Sequence, residues 1–106
     1  MAKNLPKEVE EYFAAGEKKL LKVVPQADYS LVLYYSDNSV REYSLQGKLE
    51  GVCAHLRNPE IFNRVFIDDV GSIAWDIDPA IDSSVMWSNR IDICADAAYI
   101  YSKQIN

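Results

Sequence analysis

Residues 64–75 read RVFIDDVGSIAW. Val65, Phe66 and Ile67 lead into Asp68, Asp69 and Gly71, and Ile73, Ala74 and Trp75 lead out. β-branched and aromatic residues on both sides of an Asp/Gly turn predict a β-hairpin. The stretches before it read as a meander. The stretches after it close the end of the sheet.

Upstream, Leu20 to Val24 reads as a strand ended by Pro25. Tyr29 to Tyr35 (YSLVLYY) puts Leu31, Leu33 and Tyr35 on one face and Val32 and Tyr34 on the other. Apolar residues on both faces predict a central strand. Asp37-Asn38 makes the next turn, since Asn tolerates the left-handed conformation. Val40 to Leu45 alternates as a third strand. Gln46 to Arg57 reads as irregular, and Asn58-Pro59 opens a helical turn through Phe62, with Pro at the first helical position. Residues 76–90, DIDPAIDSSVMWSNR, read as a polar loop. Ile91 to Ile93 is a candidate last strand and Asp96 to Ser102 a final helical turn. At the N-terminus, Asn4 and Pro6 open a helix whose Leu5, Val9, Tyr12 and Phe13 share one face, with Gly16 as its stop. The expected fold class is α+β. It has a small antiparallel sheet of about five strands, covered by the N-terminal helix and short helical turns. Leu31, Leu33, Phe62, Val65, Ile67, Ile73 and Trp75 are the expected core.

The length of 106 residues argues for one domain, and 49% hydrophobic residues suit a globular chain. No run approaches a membrane span, and MAKNLPKEVEEYF has no apolar signal core. These features lead to an expectation of a cytoplasmic protein. Cys53 and Cys94 make no disulfide framework and read as reduced thiols. Residues 1–64 balance nine basic against nine acidic residues. Residues 65–106 set seven aspartates against Arg90 and Lys103, so this part carries the whole net charge of −5. An acidic surface repels phosphates, which disfavours direct nucleic-acid binding and suits a basic partner.

Chemistry-bearing motifs are sparse. Cys53-Ala54-His55 with Cys94 supplies three candidate zinc ligands but neither a fourth nor the usual short spacing. A Cys53–His55 nucleophile pair lacks an evident orienting group. Asp76-x-Asp78-x-x-x-Asp82 echoes a calcium loop, yet its sixth position is Ile81 and its twelfth is Trp87, where Gly and Glu are diagnostic. Asp68 and Asp69, beside Gly71, read as solvated turn residues. The four glycines, at 16, 47, 51 and 71, form no phosphate loop. Neither a cofactor nor a catalytic group is expected.

The chain runs through Val23-Val24-Pro25, Asp28-Tyr29-Ser30-Leu31, Asp37-Asn38 and Val40-Arg41-Glu42-Tyr43, then Leu56-Arg57-Asn58-Pro59-Glu60-Ile61-Phe62, Val65, Ile73-Ala74-Trp75, Asp92-Ile93, Asp96 and Tyr99. In that order and spacing it resembles the small bacterial domain of unknown function 2442 family. The resemblance covers residues 20–101 and leaves 1–17 as an N-terminal extension. It implies a compact α+β fold, found alone, fused to a helix-turn-helix, or encoded beside another small protein in pairs that look like toxin–antitoxin modules. It supplies no catalytic residues. The loop 76–90 is longer than the family's usual link.

These readings lead to an expectation of a non-enzymatic protein-interaction domain. It would act as an antitoxin-like or regulatory partner of a neighbouring gene product. An accessory domain of transcriptional regulation and a small metal-dependent hydrolase are the alternatives. The expected contact residues are Met86 and Trp87 as apolar anchors, ringed by Asp76, Asp78, Asp82 and Arg90. Self-association is left open, as is the opposite role for the loop, a lid with Trp87 tucked into the core.

Overall fold

The computed structural model describes residues 18–106, and the helix expected near the N-terminus lies outside them. In chain order come β1 (Leu20–Pro25), β2 (Ser30–Tyr35), β3 (Val40–Ser44), a 3-10 helix (Gly51–Arg57) and α1 (Pro59–Phe62). Then follow β4 (Phe66–Ile67), β5 (Ile73–Asp76), a 3-10 turn (Trp87–Asn89), β6 (Arg90–Ile93), α2 (Ala95–Tyr101) and β7 (Lys103–Gln104). The class is α+β, as the sequence predicts. The strands form two antiparallel sheets, ordered β1-β2-β3-β7 and β4-β5-β6, in place of a single sheet of about five. Residues 45–62 explain the split. Leu45, Leu56 and Phe62 are buried, so this segment turns inward as helix and carries β4 away from β3.

The expected alternation of β2 sets the core. Leu31, Leu33 and Tyr35 are buried, Val32 is half-buried and Tyr34 exposed. Leu31 and Leu33 belong to one buried cluster with Phe62, Ile73, Trp75 and Ile91, so the two sheets share a core. Val65 and Ile67, expected in that core, are only half-buried, because β4 is an edge strand. The indole of Trp75 is fully buried and donates from Nε1 to the Phe62 carbonyl at 3.0 Å. Left unpaired there, that N–H would cost about 1–3 kcal/mol. The Phe62 ring lies 6.2 Å from Trp75 and 5.2 Å from Tyr29, the latter edge-on. Asn58 starts α1 as predicted, its side chain accepting the Glu60 N–H at 3.0 Å.

Three hairpin corners share one geometry. In each, the N–H of the first residue reaches the carbonyl four on, and its own carbonyl accepts from the residue three on. The pairs are Gln26–Ser30, Tyr35–Ser39 and Asp68–Ser72. This three-residue loop needs a left-handed residue in third place. Gly71 meets the need without strain at φ 84°, and Asn38 tolerates it at φ 69°. Tyr29 occupies it at φ 61°, an unfavourable conformation for a bulky side chain. Its packing offsets this: the ring meets Phe62 and the hydroxyl donates to the Arg57 carbonyl.

The C-terminal part folds onto the first sheet. Tyr35 donates to the Ala95 carbonyl at 2.8 Å, and Tyr99 donates to Asp37 Oδ2 at 2.6 Å. Arg41 lies 4.2 Å above the Tyr99 ring and donates to Ser102 Oγ and its carbonyl. β7, which no periodicity announces, pairs Gln104 and Lys103 with Arg41 and Glu42. Beyond it, Asn106 Oδ1 accepts the Val40 N–H, and Asn106 Nδ2 donates to the Asn38 carbonyl. Among the described residues no helix is long and apolar enough to cross a membrane.

Two outcomes follow. Leu33→Ala should cost ~2–5 kcal/mol by urea denaturation, while Leu21→Ala, at an exposed position of β1, should cost under ~0.5 kcal/mol. A Leu33→Ala loss below ~1 kcal/mol would remove β2 from the centre of the core. The second concerns acid. Burial alone would raise the Asp37 carboxyl, but hydrogen bonds from Ser39 and Tyr99, with the Lys18 charge, hold it below its usual 3.8. A carboxyl depressed in the folded state lends stability above the unfolded value and loses it as pH falls through the folded one. Stability should therefore drop below about pH 4, and Asp37→Asn should flatten that acid limb in pH-dependent melting. An unchanged limb would exclude Asp37 from acid stability.

Candidate functional site

Between β5 and β6 the chain makes a loop over residues 77–89. Its shape is set by Asn89, which is buried. Asn89 Nδ2 donates to the carbonyls of Asp78 at 3.0 Å and Ile81 at 2.7 Å, and Oδ1 accepts the Asp78 N–H at 2.9 Å. Its backbone carbonyl takes the Ile77 N–H at 2.8 Å. One side chain thus supplies the partners that a strand would otherwise give to this backbone. The loop is pinned, and it holds Val85, Met86 and Trp87 outward, Trp87 at 67% exposure. Trp87 is therefore not tucked into the core.

Arg90 opens β6 opposite Asp76 in the strand register. Its guanidinium turns instead to Asp68, with Nη1 3.5 Å from Oδ2, and Nε donates to the buried Ser83 Oγ at 2.9 Å. The Arg90 and Asp68 side chains are only 8% and 2% exposed. Two sequence expectations are corrected here. Arg90 is not a rim charge, and Asp68 is not a solvated turn residue. Asp68 follows Ile67, which packs on the core, and so lies on the opposite face with Phe66, where Arg90 and the loop cover it; Asp69 stays exposed. Asp68 Oδ1 also accepts the Val70 and Ser72 N–H groups, so this carboxylate both shapes the hairpin tip and anchors Arg90. The guanidinium sits 5.1 Å from the Trp87 ring centre and 5.9 Å from that of Phe66. Trp87 is thereby oriented from its inner side while its outer side stays bare.

The hairpin tip and the loop border a shallow, open hollow of about 610 Å³ with Asp69, Asp76, Asp82 and Arg90 along it. A smaller hollow of about 280 Å³, shared with Asp68, Asp69 and Arg90, is closed by Val70 and Trp87. Asp68, Asp69 and Arg90 border both hollows, while Asp76 and Asp82 belong to the larger one and Trp87 to the smaller. Met86 is exposed beside Trp87, and Asp78 is exposed on the turn before it.

Several of the acids serve the backbone. Asp28, Asp37, Asp68, Asp78 and Asp82 each accept the N–H two residues on, at 2.8–3.2 Å. Such turns are a standard use of Asp. Hydrogen bonds from the Ser84 hydroxyl and N–H hold the Asp82 carboxyl below its usual range; burial opposes them slightly and the Arg90 charge assists. Two buried carboxylate oxygens, Asp68 Oδ2 and Asp76 Oδ1, accept no hydrogen bond, the first facing the Arg90 guanidinium at 3.5 Å. Cys53 and His55 lie in the 3-10 helix Gly51–Arg57, and the exposed Cys94 precedes α2. Among the described residues no group of three or more His, Cys, Asp or Glu side chains converges as a metal site.

Sequence reasoning missed Asp68, Val70, Ser83 and Asn89. The Asp-x-Ser spacing at 28–30, 37–39 and 82–84 is a readable turn signal. Nothing local marks Asn89, whose acceptors lie eight and eleven residues away. The chain matches no family model, no curated protein and no solved structure.

Removing one member of a buried ion pair leaves the other charged and desolvated. Arg90→Met should therefore cost ~3–5 kcal/mol in urea denaturation. Adding Asp68→Asn, which keeps the turn-forming oxygen, should recover much of that loss. No recovery in the double variant would show that the pair does not hold the hairpin to the loop.

Proposed function

We propose that this chain is a non-enzymatic protein-interaction domain, with an antitoxin-like or regulatory role toward a neighbouring gene product. One observation carries the reading. A loop fixed by Asn89 and by the Arg90–Asp68 pair holds Val85, Met86 and Trp87 in water. Exposed apolar side chains on a pre-ordered platform lower the entropy lost on binding, and Trp is enriched among residues that dominate binding energy. The charge of −5 in residues 65–106 supports a basic partner, whose approach it would accelerate. The resemblance to the domain of unknown function 2442 family supports the paired-gene setting by association alone.

The test is co-expression with the product of the adjacent gene, followed by affinity measurement. Trp87→Ala should weaken the complex by about 30-fold, corresponding to ~2 kcal/mol, and leave the melting temperature of the free chain nearly unchanged. Raising salt should slow association. No complex at all, or a Trp87→Ala variant that loses stability and keeps its affinity, would sink the proposal. A complex formed only between copies of this chain would replace it with self-association.

A further inference from the structure

The outer edge of β6 is a strand ladder left unused. Among the described residues β6 pairs with β5 alone. The Ile77 N–H bonds to the Asn89 carbonyl at 2.8 Å, which fixes the parity of that pairing. Ile91 and Ile93 then exchange backbone hydrogen bonds with Trp75 and Ile73, while Arg90 and Asp92 turn theirs away from β5. By the same alternation Cys94 turns its N–H outward. The Trp87 carbonyl takes the Arg90 N–H, and the Cys94 carbonyl accepts from the Ala98 N–H. The Arg90 carbonyl, both backbone groups of Asp92 and the Cys94 N–H have no partner among the described residues. Asp92 and Cys94 are exposed, so this edge is open to solvent. The other sheet margins differ. β4 and β7 run two residues each, and β1 carries a bulge between Leu20 and Lys22, which interrupts a ladder.

We infer that an extended segment of the protein partner adds to this edge as a further strand of the second sheet, with an apolar–basic–apolar run centred opposite Asp92. The outward backbone groups match the main chain of such a segment, which supplies affinity in strand addition, while side chains supply specificity. The residue opposite Asp92 shares the face of that carboxylate, and opposite charges directly across a ladder attract. Its two neighbours fall on the core face, beside Ile91 and the half-buried Ile93. A second copy of this chain fits less well. Antiparallel pairing of β6 with β6 through all the free groups sets Asp92 against Asp92, and like charges directly opposite repel. β6 starts directly after the Trp87–Asn89 turn, so the added strand runs beside the Trp87 platform. This inference deepens the interaction reading and rests on it for the identity of the partner as a protein. The strand-accepting edge is testable without that partner.

The probe is the peptide acetyl-Thr-Val-Lys-Val-Thr-amide, titrated into the full chain under nitrogen-15 NMR, with a glutamate in place of its lysine as the control peptide. Saturable shifts are expected at the Asp92 and Cys94 amides, with a dissociation constant on the order of millimolar. Exchange of those two amides with solvent should slow several-fold, while the Ile91 and Ile93 amides, already bonded to β5, keep their rates. This alternation is a signature that recognition through side chains alone does not produce. The glutamate peptide should bind about five-fold more weakly. Asp92→Lys should reverse that preference, and Glu42→Lys, the same charge change on an exposed residue of β3, should not. Asp92→Pro removes the outward N–H without touching a bond between β5 and β6, so it should abolish binding. If Asp92→Pro does not fold, the reversed preference of Asp92→Lys decides. Non-saturating shifts, shifts without slowed exchange at Asp92 and Cys94, or equal binding of the two peptides overturns the inference. If the complex with the neighbouring gene product forms and leaves the Asp92 and Cys94 exchange rates unchanged, the edge assignment falls and the interaction reading stands. If the peptide adds as expected and no protein complex forms, the partner reading falls and the strand-accepting edge stands.

Discussion

A buried indole must find an acceptor, and in this chain it finds the carbonyl that ends α1. Trp75 belongs to the second sheet, Phe62 to the helical turn, and the ring of Phe62 abuts Tyr29 at the corner of the first sheet. Three segments far apart in sequence are thus tied by one hydrogen bond and two ring contacts. Aromatic pairs of this kind add about 0.5–1.5 kcal/mol beyond their area. The contribution to specificity is larger, because the indole N–H accepts few alternatives to that carbonyl. With Trp75 placed, the register of β5 against both neighbours is set, and Asp76 and Arg90 fall at the end where the loop departs.

That end of the second sheet is where the fold turns into a surface. The Arg90–Asp68 pair joins the hairpin tip to the loop, and Asn89 fixes the loop's own backbone. An isolated buried ion pair contributes little net stability, because desolvation cancels most of the attraction. Its value here is geometric: it holds the two sides of the hollow together and gives Trp87 a cation to rest on. A hydrophobic replacement of equal volume would keep the sides together and lose the second effect.

Legibility followed the range of the interaction. Strands appeared wherever side chains alternate: β2, β3 and the 64–75 hairpin lie within a residue or two of their expected places. Asn58-Pro59 announced α1 because a cap and a first-turn proline act locally. The division into two sheets was not legible, because it depends on where Leu45, Leu56 and Phe62 find burial. Nor was β7, two polar residues whose strand character comes from pairing with β3. Within the site, Trp87 and Met86 were legible as apolar residues stranded in a polar loop. Asp68 was misread because adjacent aspartates beside a glycine look alike in sequence, and its burial comes from Arg90, twenty-two residues on. Tyr29 was read as an ordinary strand residue; only the surroundings of its ring explain a left-handed tyrosine.

The closing of β3 by the C-terminal segment bears on how this molecule can meet others. A strand with a free ladder invites another chain to extend the sheet, a common origin of aggregation and of strand-addition complexes. β7 occupies that ladder over Arg41 and Glu42. The amide of Asn106 then continues it, accepting from Val40 and donating to Asn38 as a strand backbone would. Two residues and one carboxamide thus give a long edge strand the blunt end of a finished sheet. Over residues 40–42 recognition falls to side chains, which discriminate among partners where a bare backbone does not.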